Sequence, residues 1–108
     1  MKNKLNWHIY SHQERNAVIN HLKAIISSAD GYIISSNFFS DIAMNLTVEI
    51  EERNIKTLHY LLSQEMSISK FDVNTFDQAS KKEWWIFLNI NFGQGKGDLK
   101  INIPNVPG

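Results

Sequence analysis

The stretch WWIFLNINF, residues 84–92, carries the strongest structural signal in the chain. Every second residue is large and apolar, which is the period of a half-buried β-strand. One face of that strand would carry Trp84, Ile86, Leu88, Ile90 and Phe92. At about 2 kcal/mol per large buried side chain, the row could contribute about 10 kcal/mol, comparable to the net stability of a whole domain. We therefore expect this segment to be a core strand.

The segment that follows, GQGKGD at residues 93–98, raises the question of a phosphate-binding loop. A Walker loop needs Ser or Thr directly after its lysine, and a helix after that. Here Gly97 follows Lys96, and the next residues, LKINIP, alternate like a strand. A glycine turn between two strands is the pattern of a hairpin. We expect a C-terminal hairpin strand, with Lys96 as a candidate contact for an anion.

The rest of the chain predicts strands and helices in turn. LNWHIY, residues 5–10, alternates as a strand, and Ser11 with Glu14 forms a capping-box pattern for a helix that Asp30-Gly31 would end. The further predicted elements are strands at 32–39 and 42–50, a helix beginning at Glu51, and a short strand within 66–73.

This order of elements favours one fold class. Strand, helix, strand, strand, helix, strand is the pattern of a split βαβ, or ferredoxin-like, domain. We expect a single α+β domain over residues 1–108, with two helices on one face of an antiparallel sheet and an extra C-terminal hairpin strand. The other face of the sheet would then be open.

Composition excludes several classes of function. The chain has 108 residues, and its 11 basic residues balance 11 acidic ones, whereas nucleic-acid binders need a basic surface. Cysteine is absent, which excludes disulfides and thiolate metal sites and fits a reducing compartment. No apolar run is long enough for a membrane helix. We expect a cytoplasmic protein that binds neither nucleic acid nor membrane.

The sequence favours a non-catalytic protein without a cofactor. The four histidines are His8, His12, His21 and His59, and their spacing does not indicate a metal site. No serine has an identifiable base or sits in a nucleophile elbow. An enzyme remains the alternative, with His8 or His12 as general base and Tyr10 or Glu49 nearby.

The open face of the predicted sheet is the candidate binding surface. Alternation places a mixture of aromatic and hydrogen-bonding side chains on it, chiefly His8, Tyr10, Asn45, Thr47, Trp85 and Phe87. Exposed aromatic patches usually mark an interface or a ligand surface. Alternatively, the segment 66–76 or the C-terminal tail folds over this face.

The leading hypothesis is a small binding or regulatory module that uses the open face. We expect a homodimer or a complex with a partner protein, and a small-molecule ligand is a further alternative. Substituting Trp85 and Phe87 together with alanine should then abolish association. A second hypothesis is an immunity or antitoxin-type inhibitor of a partner enzyme, although such inhibitors are usually acidic and this chain is neutral.

Overall fold

The structure, a computed structural model, describes residues 3–70 and 76–93. Five strands and two α-helices follow one another within these two ranges. The strands are β1 (Asn3–Tyr10), β2 (Tyr32–Ser40), β3 (Ala43–Glu51), β4 (Ser67–Ile68) and β5 (Glu83–Asn91). The helices are α1 (Arg15–Ser28) and α2 (Ile55–Glu65), and a short 3-10 turn, Glu52–Asn54, leads into α2.

The strands form one open mixed sheet in the order β2-β3-β5-β1-β4. β5 lies in the centre, antiparallel to β3 and parallel to β1, and it is paired on both sides from Trp84 to Asn91. β2 and the two-residue β4 form the edges. The described residues thus make a compact α+β domain.

The ferredoxin-like arrangement predicted from the sequence is wrong in its strand order. That fold needs an antiparallel sheet with the last strand at an edge, whereas β5 is inserted between β1 and β3 and pairs with β1 in parallel. Burial explains the central position. Ile86, Leu88 and Ile90 are almost fully buried, and a strand with neighbours on both sides shields such a row better than an edge strand.

The predicted C-terminal hairpin strand would follow β5 in the chain. Residues 94–108, which include the predicted strand and Lys96, lie outside the described residues.

Helix α1 is capped by a different residue from the one expected. The Glu14 carboxylate accepts hydrogen bonds from the backbone N–H groups of Asn16 and Ala17, at 2.9 and 3.1 Å. Ser11 accepts instead from the N–H of Gln13 within the preceding turn. The capping-box prediction is therefore corrected to a glutamate N-cap, whose negative charge suits the positive end of the helix dipole.

The end of α1 lies where Asp30-Gly31 predicts it, but Asp30 takes the left-handed position that was expected for Gly31. Asp30 takes the left-handed conformation, at φ 62°. Gly31 donates to the carbonyl of Ile26 at 2.9 Å, and a Cβ at Gly31 would lie 3.1–3.2 Å from the Ile26 and Val48 side chains. Close packing against β3 therefore favours glycine there.

Strand β3 runs one residue further than its alternation predicts, because Glu51 still pairs with Glu83 of β5. The helix predicted from Glu51 begins only at Ile55, after the 3-10 turn. Glu52 is buried and accepts a hydrogen bond from the backbone N–H of Asp77 at 2.9 Å. It therefore anchors the loop before β5 instead of serving as a charge in the first turn of α2.

Both helices pack on one face of the sheet. A single buried cluster joins α1 and α2 to the inward side chains of β1, β3 and β5. The helix residues in it are Val18, Leu22, Ile26, Ile55, Leu58 and Leu62. The opposite face of the sheet, called the open face below, points away from both helices.

Candidate functional site

The structure brings all six sequence-predicted binding residues onto the open face. Strand register arranges them in rows that cross the sheet. His8 lies beside Asn89, which lies beside Asn45, while Thr47 lies beside Phe87. Tyr10 belongs to the next row, beside Asn91. Trp85 belongs to the row at the opposite end of the sheet.

An asparagine pair fixes the middle of this face. The Asn45 Nδ2 donates to the Asn89 Oδ1 at 3.2 Å, and the Asn89 Nδ2 donates to the carbonyl oxygen of Trp7 at 3.2 Å. Because the amides bond to each other and to the backbone, the middle of the open face carries two polar side chains in fixed positions. His8 is exposed next to this asparagine pair.

The two aromatic residues on which the sequence prediction relied most are only half-exposed. Trp85 donates its indole N–H to a carboxylate oxygen of Glu49 at 3.1 Å, and Lys4 lies over its ring at 5.9 Å from the centroid. Phe87 meets Trp85 edge-on, with ring centroids 6.5 Å apart. Thr47 beside Phe87 is buried. These contacts give Trp85 and Phe87 structural roles in the sheet.

A groove of about 590 Å³ crosses the other end of the open face. Tyr10 of β1 and Phe39 of β2 both line it, with exposed fractions of 42% and 70%, and the small Ala43 contributes to its lining between them in the sheet. The remaining lining residues are His8, Ile9, Met44, Ser67, Ile68, Ser69, Asn89, Ile90 and Asn91. None of the lining residues is acidic, lysine or arginine, so the groove suits an uncharged group.

Phe39 is a site residue that sequence reasoning missed. The register of β2 on β3 shifts between Phe38 and Ser40, which leaves Phe39 as the extra residue of a β-bulge. Simple alternation treats Phe39 as one more position in a regular strand. The adjacent pair Phe38-Phe39, which interrupts the period of two, is the only sequence signal of the bulge.

The edge strand β2 carries most of the exposed large apolar side chains of the described residues. They are Tyr32, Ile34, Phe38 and Phe39. Ile42, in the turn after the strand, is also exposed. Phe38 is partly covered, because the guanidinium of Arg15 lies 5.1 Å from its ring centroid. The alternation of residues 32–39 predicts a strand there but does not show that the strand lies at an edge of the sheet.

The segment 66–76 does not cover the open face in its described part. Met66 and Phe76 are buried in the core cluster, and Phe76 meets Trp84 edge-on on the helix side of the sheet. Ser67–Ile68 extends the sheet beside β1. Residues 71–75 lie outside the described residues.

The other three histidines occupy settings that are separate from that of His8. His12 meets the ring of Tyr10 edge-on at 5.0 Å, and His21 lies 3.7 Å from a carboxylate oxygen of Glu65. The Nε2 of His59 is 2.7 Å from the carbonyl oxygen of Ser69. Within residues 3–70 and 76–93, no group of three or more His, Asp or Glu side chains could hold a metal ion.

The residues of the enzyme alternative are not all brought together. Tyr10 lies near His12, but Glu49 stands in the row of Trp85, four residues along β3 from Asn45 and the row of His8. Four residues of strand correspond to about 13 Å. Glu49 therefore cannot assist His8 directly.

The pKa of Glu52 is shifted by the groups around its carboxylate. Its pKa is lowered from the ordinary value of 4.5, chiefly because the backbone N–H of Asp77 donates to the carboxylate. The side chains of Ser80 and Trp84 and the charge of Lys82 lower it further, while desolvation acts in the opposite direction. The carboxylate closes the loop before β5 at the helix side, so we assign it a structural role.

Across the part of the chain that the structure describes, neither helix has the length and apolar character needed to cross a bilayer.

No protein-family model, no curated protein and no solved structure matches the chain. Function must therefore be inferred from the geometry of the open face.

Proposed function

We propose that this chain is a small non-catalytic binding module whose contact surface is the open face, with the groove between Tyr10 and Phe39 as its anchor point. The groove supports this proposal most directly. Its volume of about 590 Å³ is within the range of about 300–1,000 Å³ that is common for ligand sites. A concave site with apolar walls and a few fixed polar groups is the usual form of such a site.

The chemistry of the lining limits what binds. Tyr10 and Phe39 offer aromatic surface, while His8 and Asn91 offer hydrogen-bond donors and acceptors. Asn89 adds an acceptor oxygen, since its amide nitrogen already donates to the backbone. Without an acidic or strongly basic side chain to neutralise it, a charged ligand would lose its hydration and gain no ion pair. The occupant is therefore a neutral, partly apolar group with hydrogen-bonding edges, presented by a small molecule or by a partner protein.

Preorganisation supports binding at this end of the sheet. Asn89 is held by Asn45 and by the backbone of β1, and the Asn91 side chain accepts from the N–H of Gly93 at 2.8 Å. Groups that are already fixed lose less conformational entropy when a ligand arrives. Trp85 and Phe87 would contribute only their exposed edges.

The test is a titration of the labelled protein with a panel of neutral aromatic and sugar fragments. Binding is monitored by changes in the NMR chemical shifts of the protein's amide and side-chain groups. We expect neutral fragments to shift His8, Tyr10 and Asn89, and charged analogues to shift them less. The variant Ala43→Leu places a larger side chain in the lining of the groove and should remove these shift changes. Tyr60→Ala, at an exposed position on α2, is the matched control and should leave them unchanged.

Three outcomes would contradict the proposal. The first is a set of shifts at His8 and Asn89 that is the same in wild type and Ala43→Leu. The second is a response confined to residues outside the open face. A response to charged fragments alone would also argue against a neutral occupant.

A further inference from the structure

We propose that the edge strand β2 pairs with β2 of a second copy of this chain, antiparallel and centred on Ser36, to continue the five-stranded sheet across a two-fold axis. An edge strand presents unpaired backbone N–H and C=O groups to any strand that approaches. β2 is nine residues long, whereas the opposite edge, β4, has only two residues. β2 is thus the main free edge among the described strands.

β2 lacks the side chains that natural proteins use to block edge pairing. Its sequence, YIISSNFFS, contains no lysine, no other charged residue and no proline. Instead it exposes Tyr32, Ile34, Phe38 and Phe39. Two β-bulges, at Ile34 and Phe39, leave the centre of the strand, residues 35–38, in regular pairing with β3. This centre is the part that a second strand can join.

The sequence of β2 is also complementary to that of a second β2 strand, when the two pair antiparallel about a two-fold axis at Ser36. Ser36 and Phe38 lie beside Leu46 and Met44 and so face the helix side of the sheet. Pairing centred on Ser36 places the bulge residue Ile34 of each copy opposite Phe38 of the other. On the open face, Ser35 of each copy lies opposite Asn37. Apolar and hydrogen-bonding cross-strand pairs stabilise a sheet, and the two-fold axis makes each pair occur twice.

Charge favours a second copy over an unrelated partner. The strand is uncharged, and the whole chain has a formal net charge of zero, so two copies approach without repulsion. A partner chosen by electrostatics would need charged side chains on β2, and there are none. The β2 edge shares only Phe39 with the groove, so pairing there does not depend on ligand binding in the groove.

The test uses light scattering of the full chain over a range of micromolar concentrations. We expect wild type to reach twice the monomer mass of 12.5 kDa. Ser36→Lys places two like charges opposite each other at the axis, and should raise the dissociation constant at least about tenfold. The control Ser27→Lys adds the same charge at an exposed position on α1 and should remain a dimer.

Two oppositely charged variants of Ser36 distinguish a loss of pairing from a loss of folding. Ser36→Asp alone should also weaken the dimer, but an equimolar mixture of Ser36→Lys and Ser36→Asp should form a mixed dimer, because opposite charges then meet at the axis. A wild type that stays at the monomer mass would overturn the proposal. So would a wild-type dimer that Ser36→Lys leaves intact, or a mixture that does not associate. None of these outcomes bears on fragment binding in the groove.

Discussion

The central position of β5 can be tested by one pair of matched substitutions. Ile86 of β5 and Ile33 of β2 both lie beside Val48 of β3, one on each side of it, and both point toward the helices. Ile86 is fully buried between two strands, while Ile33 is half-buried on the edge strand. The same change, isoleucine to alanine, therefore probes the centre and the edge of one row.

The magnitudes follow from burial. Ile86→Ala loses about 0.8 kcal/mol for each carbon atom removed, or about 2.4 kcal/mol, and the cavity left behind brings the total cost to about 3–5 kcal/mol. Ile33→Ala loses about half of the transfer energy and leaves a site open to water, so we expect about 1–2 kcal/mol.

The assay is unfolding in urea followed by tryptophan fluorescence, with the free energy of unfolding extrapolated to water for wild type and both variants. Ile86→Ala should cost about 2 kcal/mol more than Ile33→Ala, with unchanged denaturant slopes. If the two costs are alike, or Ile33→Ala costs more, then β5 is not central and the strand order is wrong.

Three further predictions concern single contacts. His59→Ala should lower the free energy of unfolding by about 1–3 kcal/mol, because it leaves the carbonyl of Ser69 without its partner at 2.7 Å. Glu52→Gln should destabilise the protein at pH 7 and lose that effect in acid. Since the pKa of Glu52 is lowered in the folded state, the stability that it contributes is complete above its ordinary value of 4.5 and is lost as pH falls through the folded-state pKa. Gly93→Ala should cost about 1–2 kcal/mol, since Gly93 has φ 70° and a Cβ there would lie 2.6 Å from the Tyr10 hydroxyl.

Each of these predictions has its control. For His59 it is His21→Ala, which changes an exposed histidine and should stay within about 0.5 kcal/mol of wild type. For Glu52, unfolding of wild type and variant is compared at pH 7 and pH 3, and a gap that widens in acid would contradict the lowered pKa. For Gly93, repeating the change in Tyr10→Ala removes the clash and leaves only the backbone strain. An equal cost in both backgrounds would show that Tyr10 contributes nothing.

The sequence predicted strand faces well and strand neighbours poorly. Alternation identified the inward row of β5 because large apolar residues recur at every second position. It could not show that β5 lies between β1 and β3, since pairing partners depend on contacts far apart in the chain. Cap residues were misjudged for a local reason: Ser11 and Glu14 can both accept backbone N–H groups, and only the backbone geometry decides between them.

The candidate site was predicted in part. His8, Tyr10 and Asn45 do share the open face, as the period of two requires. The groove was not predictable, because it depends on the bulge at Phe39 and on the sheet order that brings β2 and β1 to opposite sides of Ala43. The free edge of β2 was missed for the same reason.

The most direct test of the account is whether the open face is accessible in the isolated protein. A soluble paramagnetic probe broadens the NMR signals of groups that solvent reaches. We predict strong broadening for the rings of His8 and Tyr10 on the open face, and little for Trp7 and Leu88 on the helix side. Protection of His8 and Tyr10 equal to that of Trp7 would show that another part of the chain covers the face, and would contradict its role as a binding surface.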